Sequence, residues 1–229
     1  MSKLIIPALG LMLLFIISIG TTVGKDADIA EMKAVDRENY DVTFYWLDLQ
    51  VSDSSTYITG NVTIMLKALG QPLEQVVLDF ADLLHADSVF VDQQKTDYIH
   101  EKNELKIDLP GQIASGTATT VQVFYHGLGK NVTGISGIYN RYNSTWDKNI
   151  TWTLSEPFHA LNWFPCKQVL TDKADSVYVF LSTDKRLRAG SNGLITSEVL
   201  LPGDRIRYEW KSRHPIAYYL ISFAVSEYY

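Results

Sequence analysis

Most of the chain consists of short segments in which apolar and polar side chains alternate. Two of the clearest run from Tyr40 to Leu47 and from Tyr57 to Leu69, and the polar residues 52–55 lie between them. A period of two places successive side chains on opposite faces of a β-strand. The polar run supplies a turn, so the two segments are predicted to form a hairpin.

Further strands are predicted along the rest of the chain, separated by Gly, Pro, Asn and Asp. No span of ten or more residues carries the 3.6-residue apolar repeat of an amphipathic helix. The Asn- and Tyr-rich residues 127–149 are expected to form an irregular loop. Together these patterns predict an all-β fold, an antiparallel β-sandwich or an open sheet. The additional strands are Gln75–Phe80, Ser88–Asp92, Tyr98–His100, Glu104–Leu109, Thr119–Tyr125, Ile150–Leu154, Ser176–Ser182, Arg188–Ala189, Leu194–Leu200, Arg205–Ser212 and Tyr218–Val225.

The beginning of the chain has the pattern of a secretory signal peptide. Lys3 is followed by an apolar run from Leu4 to Ile19 and by small residues up to Gly24. The run is short for a membrane-spanning helix of about 20 residues. We expect cleavage after Gly24, with Gly20 as the alternative site, and an uncleaved N-terminal anchor is the competing interpretation. Residues 25–35 would then be a charged lead and residues 36–229 one domain of an exported protein, secreted, periplasmic or at the cell surface, with no integral membrane segment.

Composition narrows the classes of partner and of chemistry. The 229 residues carry a formal net charge of -6, and the basic residues form no patch, which argues against a nucleic-acid partner. Cys166 is the only cysteine, so no intrachain disulfide can form. Because it follows Trp163, Phe164 and Pro165, we expect it to be a small buried residue and not a nucleophile.

The segment that closes the chain is strongly apolar. Residues 216–225 are expected to form one strand, too short to cross a bilayer. Such a strand needs a covering layer. We therefore expect an apolar face to be exposed there unless another part of the protein covers it.

The histidines give no clear metal site. His100–Glu104 nearly spells the zinc-peptidase motif, but its fifth residue is Glu and its setting is strand, turn, strand, whereas the motif needs a helix. We interpret it as a polar hairpin. A zinc site assembled from distant His and carboxylates is left as an alternative, and neither a catalytic residue nor a metal ligand is assigned. The other histidines are expected to be ordinary hydrogen-bonded residues: His85, His126, His159 and His214.

Two further features could carry function. Aromatic residues cluster in 139–146 and 152–163, where they could line a groove for peptide or sugar, although most are expected to pack in the core. The chain also has four acceptor sequences for N-linked glycans, whose use depends on the host. Their asparagines are Asn61, Asn131, Asn143 and Asn149.

Two motifs together resemble one enzyme family. Ser155-Glu156-Pro157 leads to Trp163-Phe164-Pro165-Cys166, and Ala189-Gly190-Ser191-Asn192-Gly193 follows further on. In this order they resemble the N-terminal β-domain of the zinc aminopeptidases typified by aminopeptidase N and the related leukotriene hydrolase. The resemblance extends from about Tyr40 to Tyr229 and implies that family's all-β, saddle-like fold.

The resemblance singles out Glu156 as the candidate substrate-binding residue. In the family, the residue ten positions before the cysteine is usually a Gln on a loop that reaches the catalytic domain and binds the amino end of the peptide. Counting back from Cys166 gives Glu156. The alternative is that Glu156 only caps a turn before Pro157.

The chain also departs from the family. Lys167-Gln168-Val169-Leu170 stands where the family usually has an Asp and a Pro after the cysteine, so the family's loop geometry is not carried over to this segment. The Gly-x-Met-Glu-Asn and His-Glu-x-x-His motifs of the catalytic domain do not occur. The resemblance thus implies a non-catalytic domain of an exported zinc aminopeptidase, with no cofactor of its own. Its partners would be the peptide substrate of the full enzyme and a zinc-bearing catalytic domain C-terminal to Tyr229. The alternatives are a freestanding extracellular β-sandwich that binds peptide or carbohydrate, and an inert structural module.

Overall fold

The computed structural model describes residues 37–132 and 136–228, which all fall in one of the chain's two units, Ala34–Tyr229. The predicted signal peptide, residues 1–24, and the lead, 25–35, lie outside the described residues. The described part contains two short 3-10 turns, Ala160–Asn162 and Tyr218–Leu220, and eighteen strands. The strands are β1 Tyr40–Gln50, β2 Tyr57–Ala68, β3 Leu73–Asp79, β4 Leu84–Val91, β5 Gln94–Thr96, β6 Tyr98–Glu101, β7 Glu104–Ile113, β8 Ala118–Leu128, β9 Asn131–Val132, β10 Ser136–Asn143, β11 Lys148–Leu154, β12 Lys173–Ala174, β13 Ser176–Asp184, β14 Arg188–Ser191, β15 Leu194–Leu201, β16 Arg205–Ser212, β17 Ile216–Ala217 and β18 Phe223–Ser226.

The largest sheet has eight strands in the order β15-β16-β13-β1-β2-β8-β4-β5. The predicted β1–β2 hairpin is confirmed, and its register shifts between Val42 and Phe44. This bulge changes which residues of β1 point inward, so that Val42 and then Tyr45 and Leu47 are buried. The pairing of β1 with β13 is parallel, the one such pair among the described strands of an otherwise antiparallel fold.

Three smaller sheets share one hydrophobic core with the large sheet: β14-β18-β11-β10-β9, β3-β7-β6 and β12-β17. Tyr125, on β8 of the large sheet, donates a hydrogen bond from its hydroxyl to Trp163 O at 3.1 Å. The ring of Phe80, which follows β3, meets the Tyr125 ring edge-on at 5.4 Å, and the ring of Phe223 on β18 meets that of Trp163 at 5.5 Å. The predicted all-β fold is therefore confirmed, with small sheets layered on a large one.

The region predicted to be an irregular loop is not one. Within residues 127–149, β10 and the start of β11 form a hairpin, and β9 pairs with the start of β10. The prediction failed because Gly137, Asn140 and Asn143, which are typical turn residues, all lie in β10.

The prediction of a single strand over residues 216–225 is also wrong. β17 ends at Ala217, a 3-10 turn occupies Tyr218–Leu220, and β18 begins only at Phe223. β18 pairs with β14 on one side and β11 on the other, and both Phe223 and Val225 are buried. β18 is thus covered by the domain itself, contrary to the expected exposed apolar face, and within the closing segment Leu220 of the 3-10 turn stays exposed.

The polar hairpin predicted at His100–Glu104 agrees with the fold. His100–Glu104 is a tight hairpin between β6 and β7, and its central residues Lys102 and Asn103 have φ of 57° and 60°. Positive φ at both central positions is typical of the two-residue turns that connect the strands of a hairpin. The segment is therefore not helical, as the metal-binding motif of a zinc peptidase would be. None of the helical segments in the described part has the length and hydrophobicity needed to cross a membrane.

Candidate functional site

The segment Ser155–Cys166 follows β11 and folds back around Trp163. The Trp163 indole Nε1 donates to the Ser155 hydroxyl at 2.9 Å, and the backbone N–H of His159 donates to Ser155 O at 3.0 Å. Both Ser155 and Trp163 are buried. Because a buried polar group that finds its partner resists rearrangement, these bonds hold the loop in one shape.

Cys166 ends this segment inside the core. It exchanges two backbone hydrogen bonds with Asp79, at 3.1 Å from its N–H and 2.7 Å to its carbonyl oxygen. Burial raises the pKa of the Cys166 thiol well above its ordinary value, and the nearby Asp79 carboxylate adds to the shift. A thiol that stays protonated is a poor nucleophile, so the structure agrees with the prediction of a small buried residue.

The residues just after Cys166, where the sequence departs from the resembled family, are fixed by buried polar contacts. The Lys167 ammonium pairs with the Asp172 carboxylate, donates to Tyr40 O and lies 4.6 Å from the centroid of the Tyr40 ring. Lys167 and Asp172 are both almost fully buried. The Gln168 side chain accepts a hydrogen bond from Leu161 N at 3.2 Å. The unusual residues therefore tie this loop to β1 and to the Ser155–Cys166 segment.

Glu156 is exposed on this well-held loop, and within the described residues its carboxylate makes no hydrogen bond or ion pair. The peptide bond from Glu156 to Pro157 is cis, and Pro157 O accepts a hydrogen bond from the Tyr218 hydroxyl at 2.5 Å. Leu154 and Phe158, on either side, are 40% and 49% exposed. The structure thus presents a carboxylate between two exposed apolar side chains.

The second motif, Ala189–Gly193, has a structural role. The Asn192 side-chain amide donates to Leu220 O at 3.0 Å and accepts from Ser222 N at 2.8 Å. Gly193 has φ of 90°, and a Cβ there would lie 2.3 Å from the carbonyl oxygen of Lys211. Only glycine fits such a position without strain. The motif therefore joins β14 to the segment that contains the second 3-10 turn.

An open groove of about 960 Å³ crosses the five-stranded sheet. Gly190, Ala224 and Trp152 are neighbours across β14, β18 and β11, and a Cβ added at Gly190 would meet no atom within 4 Å. The Trp152 ring stacks on Tyr139 at 5.0 Å between centroids and 12° between planes. The small residues Gly190 and Ala224 beside Trp152 keep this surface open. Polar groups along the groove come from Arg141, Asn143 and Asn192.

The histidines form no metal centre with other residues of the described part of the chain. The His100 ring stacks on Phe80 at 4.7 Å and its Nε2 is 3.1 Å from Phe80 O. His126 Nδ1 is 3.0 Å from an Asp87 carboxylate oxygen, as expected of an ordinary hydrogen-bonded residue. No three His, Cys, Asp or Glu side chains in residues 37–132 and 136–228 are placed to hold a metal ion. The part of the chain that the structure describes therefore does not fit a zinc site.

Comparison with known proteins identifies the family. The sequence profile described as the peptidase M1 N-terminal domain matches residues 37–220, which is most of the chain. The chain belongs to this family. The resemblance inferred from the Ser155–Cys166 and Ala189–Gly193 motifs is thereby confirmed.

Solved structures share the fold of this M1 N-terminal domain at low sequence identity. The M1 zinc metallopeptidase from Deinococcus radiodurans is 21% identical, with a TM-score of 0.74, over 82% of this chain and 42% of that protein. Leukotriene A4 hydrolase from Saccharomyces cerevisiae is 20% identical, with a TM-score of 0.66, over 82% of this chain and 29% of that protein. The chain thus spans less than half the length of these relatives. None of the curated protein sequences compared with it matches.

The sequence placed Glu156 in this M1 domain, but it did not reveal the contacts around it. Trp163 and Ser155 were visible only as parts of a motif, and nothing indicated that the Tyr218 hydroxyl would reach Pro157 across 61 residues. The groove was anticipated only as an aromatic cluster. Because the role of Glu156 depends on what lies next to the loop, it remains a prediction.

Proposed function

We propose that this M1 N-terminal domain serves an exported zinc aminopeptidase, supporting its catalytic domain and forming one wall of the substrate cleft. The observation that carries the proposal is the Glu156 carboxylate, which has no partner among the described residues and lies on a loop that is held on both sides. An aminopeptidase must bind a protonated α-amino group. A carboxylate suits that task because hydrogen bonds between charged groups are the stronger kind.

The apolar residues around Glu156 support a role at an interface. Leu154, Phe158 and Leu220 are each 40% exposed or more. Leu220 lies in the 3-10 turn whose Tyr218 hydroxyl bonds to the Glu156 loop at Pro157. Exposed apolar side chains on two segments that a hydrogen bond joins support a surface that another domain or a ligand covers. We assign this surface to the catalytic domain of the complete enzyme.

Zinc in this proposal belongs to the catalytic domain. The described residues of this chain do not fit a zinc site. In the complete enzyme the metal would polarise the scissile carbonyl and activate water. The contribution of this chain is to hold the amino end of the substrate and to exclude water from one side of the cleft.

The coding sequence beyond Tyr229 tests the proposal directly. We expect the reading frame to continue and to encode a His-Glu-x-x-His helix. The complete protein should then release amino acids from unblocked peptides and leave N-acetylated peptides intact. A stop codon directly after Tyr229, or a continuation without metal-binding residues, would contradict the proposal.

Export is a separate part of the proposal and has its own test. The apolar run after Lys3 and the small residues before Lys25 support it. Expression in a secreting host should give a product in the medium or periplasm whose first residue is Lys25. A retained protein that still begins at Met1 would favour the uncleaved anchor.

The groove over the five-stranded sheet favours one rival function, a freestanding domain that binds peptide or carbohydrate. Its half-buried Trp152 ring, which stacks on the buried Tyr139, offers a flat apolar surface of the kind that such ligands use. Titration calorimetry of the purified chain with peptide and oligosaccharide panels separates the two proposals. Saturable binding by the chain alone that is lost in Trp152→Ala would support the rival.

A further inference from the structure

The turn between β10 and β11 carries one of the four glycan acceptor sequences, Asn143-Ser144-Thr145. The Asn143 side-chain oxygen accepts hydrogen bonds from Thr145 N at 3.0 Å and from Trp146 N at 3.3 Å. This is an Asx-type turn, in which the oxygen closes the loop. The side-chain nitrogen, the atom that a glycan would modify, makes no hydrogen bond within the described residues.

The other acceptor sequences are placed less favourably. Asn61 lies in the middle of β2, where its oxygen accepts from the Gln122 amide and the next residue, Val62, is fully buried. The sequence that begins at Asn149 includes Thr151, which is fully buried and hydrogen-bonded through its hydroxyl. The sequence that begins at Asn131 ends outside the described residues. Asn143, Ser144 and Thr145 are all exposed.

Trp146 lies in the same turn as Asn143, and its side chain is exposed. At 68% exposure it is the most exposed aromatic residue of the described chain. Together with Asn143, Ile150 and Tyr228 it lines a mostly apolar pocket of about 320 Å³. This volume is at the lower end of the roughly 300–1,000 Å³ typical of small-ligand pockets, which suits a single sugar ring.

We propose that Asn143 carries an N-linked glycan whose first N-acetylglucosamine packs its C–H face on the Trp146 ring, over this pocket. A sugar joined to the Asn143 nitrogen starts beside Trp146, since the Trp146 backbone N–H donates to the Asn143 oxygen and both residues line the same pocket. Covering the ring removes apolar surface from water, which stabilises the hairpin.

This inference rests on the proposed export, because the sugar donor and its transferase act in the secretory pathway. In the transfer, the Asn143 side-chain nitrogen forms a bond to C1 of a polyprenyl-diphosphate-linked oligosaccharide. The C1–O bond to the diphosphate breaks, and the diphosphate leaves with the electron pair. The amide proton passes to a carboxylate base of the transferase.

Site occupancy is the first test. The chain is expressed in a eukaryotic secretory host with its own residues 1–24 and, in parallel, with the leader of an established secreted protein. Glycans are removed with an amidase in heavy-oxygen water, which converts a glycosylated Asn into a labelled Asp for mass spectrometry. We expect Asn143 to be labelled in most molecules with either leader, and Thr145→Ala to abolish the label.

The two leaders distinguish failure of export from failure of the glycan. Labelling of Asn143 only with the foreign leader would overturn export from this chain's own leader and support the glycan site. An unlabelled Asn143 in protein secreted with the foreign leader would overturn the glycan site.

Packing on Trp146 is the second test. An endoglycosidase that leaves one sugar on Asn143 is compared with the amidase, which leaves Asp at position 143, and the same pair of treatments on Trp146→Ser accounts for that change of residue. With the single sugar we expect weaker acrylamide quenching of tryptophan fluorescence and a Tm higher by roughly 2–4 °C, the shift for a small stabilisation in a domain of this size. Both differences should vanish in Trp146→Ser, whereas Trp146→Phe should keep part of the Tm difference. Equal quenching of the one-sugar and sugar-free forms would overturn the stacking.

Discussion

At the scale of single residues, one short motif contains both a buried packing residue, Cys166, and an exposed carboxylate, Glu156. Cys166 is fully buried, and its raised thiol pKa leaves it a packing residue. Glu156 is exposed and free within the described chain. Between them, the hydrogen bond from Trp163 to Ser155 fixes the loop. The buried part of the motif therefore determines the position of Glu156 on the surface.

The first prediction concerns Glu156 in the complete enzyme. If its carboxylate holds the substrate's amino group, Glu156→Ala should lower kcat/KM. The lost transition-state stabilisation should be about 1.5 to 3 kcal/mol, the range for a hydrogen bond to a charged group. Glu156→Gln should do less harm because the amide oxygen still accepts the bond. Steady-state kinetics on unblocked peptides measures both.

Glu198→Ala is the matched control, since Glu198 is another exposed glutamate, on β15. It should leave kcat/KM unchanged. Full activity of Glu156→Ala on unblocked peptides would mean that Glu156 is only a turn residue.

The second prediction concerns the buried pair of Lys167 and Asp172. Removing one charge leaves the other buried without its partner, so Lys167→Met and Asp172→Asn should each lower the free energy of unfolding by about 3 to 5 kcal/mol. The double variant should lose clearly less than the sum of the two. Urea denaturation of all four proteins gives the coupling, and strict additivity would argue against an energetic pair.

At the scale of elements, the two glycines of the Ala189–Gly193 motif allow the steric role of Gly193 to be tested against a matched control. Gly193→Ala should lower the free energy of unfolding by about 1 to 3 kcal/mol from backbone strain alone, before the clash with Lys211 O is counted. Gly190→Ala, in the same motif, adds a Cβ into open space and should change stability by less than about 1 kcal/mol. Thermal denaturation compares them, and equal losses would refute the steric argument.

The elements that the sequence predicted well are those with one face in the core and one in solvent. β16 was predicted with the bounds that it has, and the β1–β2 hairpin was found, because apolar alternation is strong there. β10 was missed because turn-forming residues interrupt its pattern. In β11 the buried face carries Thr151 and Thr153, whose hydroxyls are hydrogen-bonded, so apolar spacing alone understates that strand.

Contacts distant in sequence explain the remaining failures. The strand predicted over residues 216–225 is interrupted where Asn192 bonds to Leu220 and Ser222, about thirty residues away along the chain. No Gly or Pro within 218–225 signals the break. Likewise, motif spacing located Glu156, but its setting depends on the bond from Tyr218 to Pro157.

At the scale of the whole molecule, one prediction concerns metal. Because no suitable trio of ligands exists among the described residues, the purified chain should hold no tightly bound stoichiometric zinc. It should also release no amino acid from aminoacyl amides. Elemental analysis after dialysis against buffer checks the first expectation, and one zinc per chain would contradict it.

The last prediction concerns association of the whole chain. β18 is buried, so it does not offer the exposed apolar face first expected to cause association. β15, however, lies at the edge of the large sheet, with Leu194 and Leu200 exposed by 76% and 77%. A long edge strand with exposed apolar side chains and one charge, Glu198, invites pairing with another strand. We expect reversible, concentration-dependent association in sedimentation velocity experiments.

Leu200→Lys should weaken that association about tenfold or more, because it puts a charge where roughly 1.5 to 3 kcal/mol of leucine burial would be gained. Leu83→Lys is the matched control, since Leu83 is 57% exposed in the turn between β3 and β4, away from that edge. It should leave the association unchanged. A wild-type chain that stays monomeric at all concentrations, or equal effects of the two lysines, would show that the β15 edge does not drive association.

In the complete enzyme the same comparison would reveal whether the β15 edge stays exposed. A catalytic domain that covers β15 should abolish the association, and Leu200→Lys should then have no effect on it.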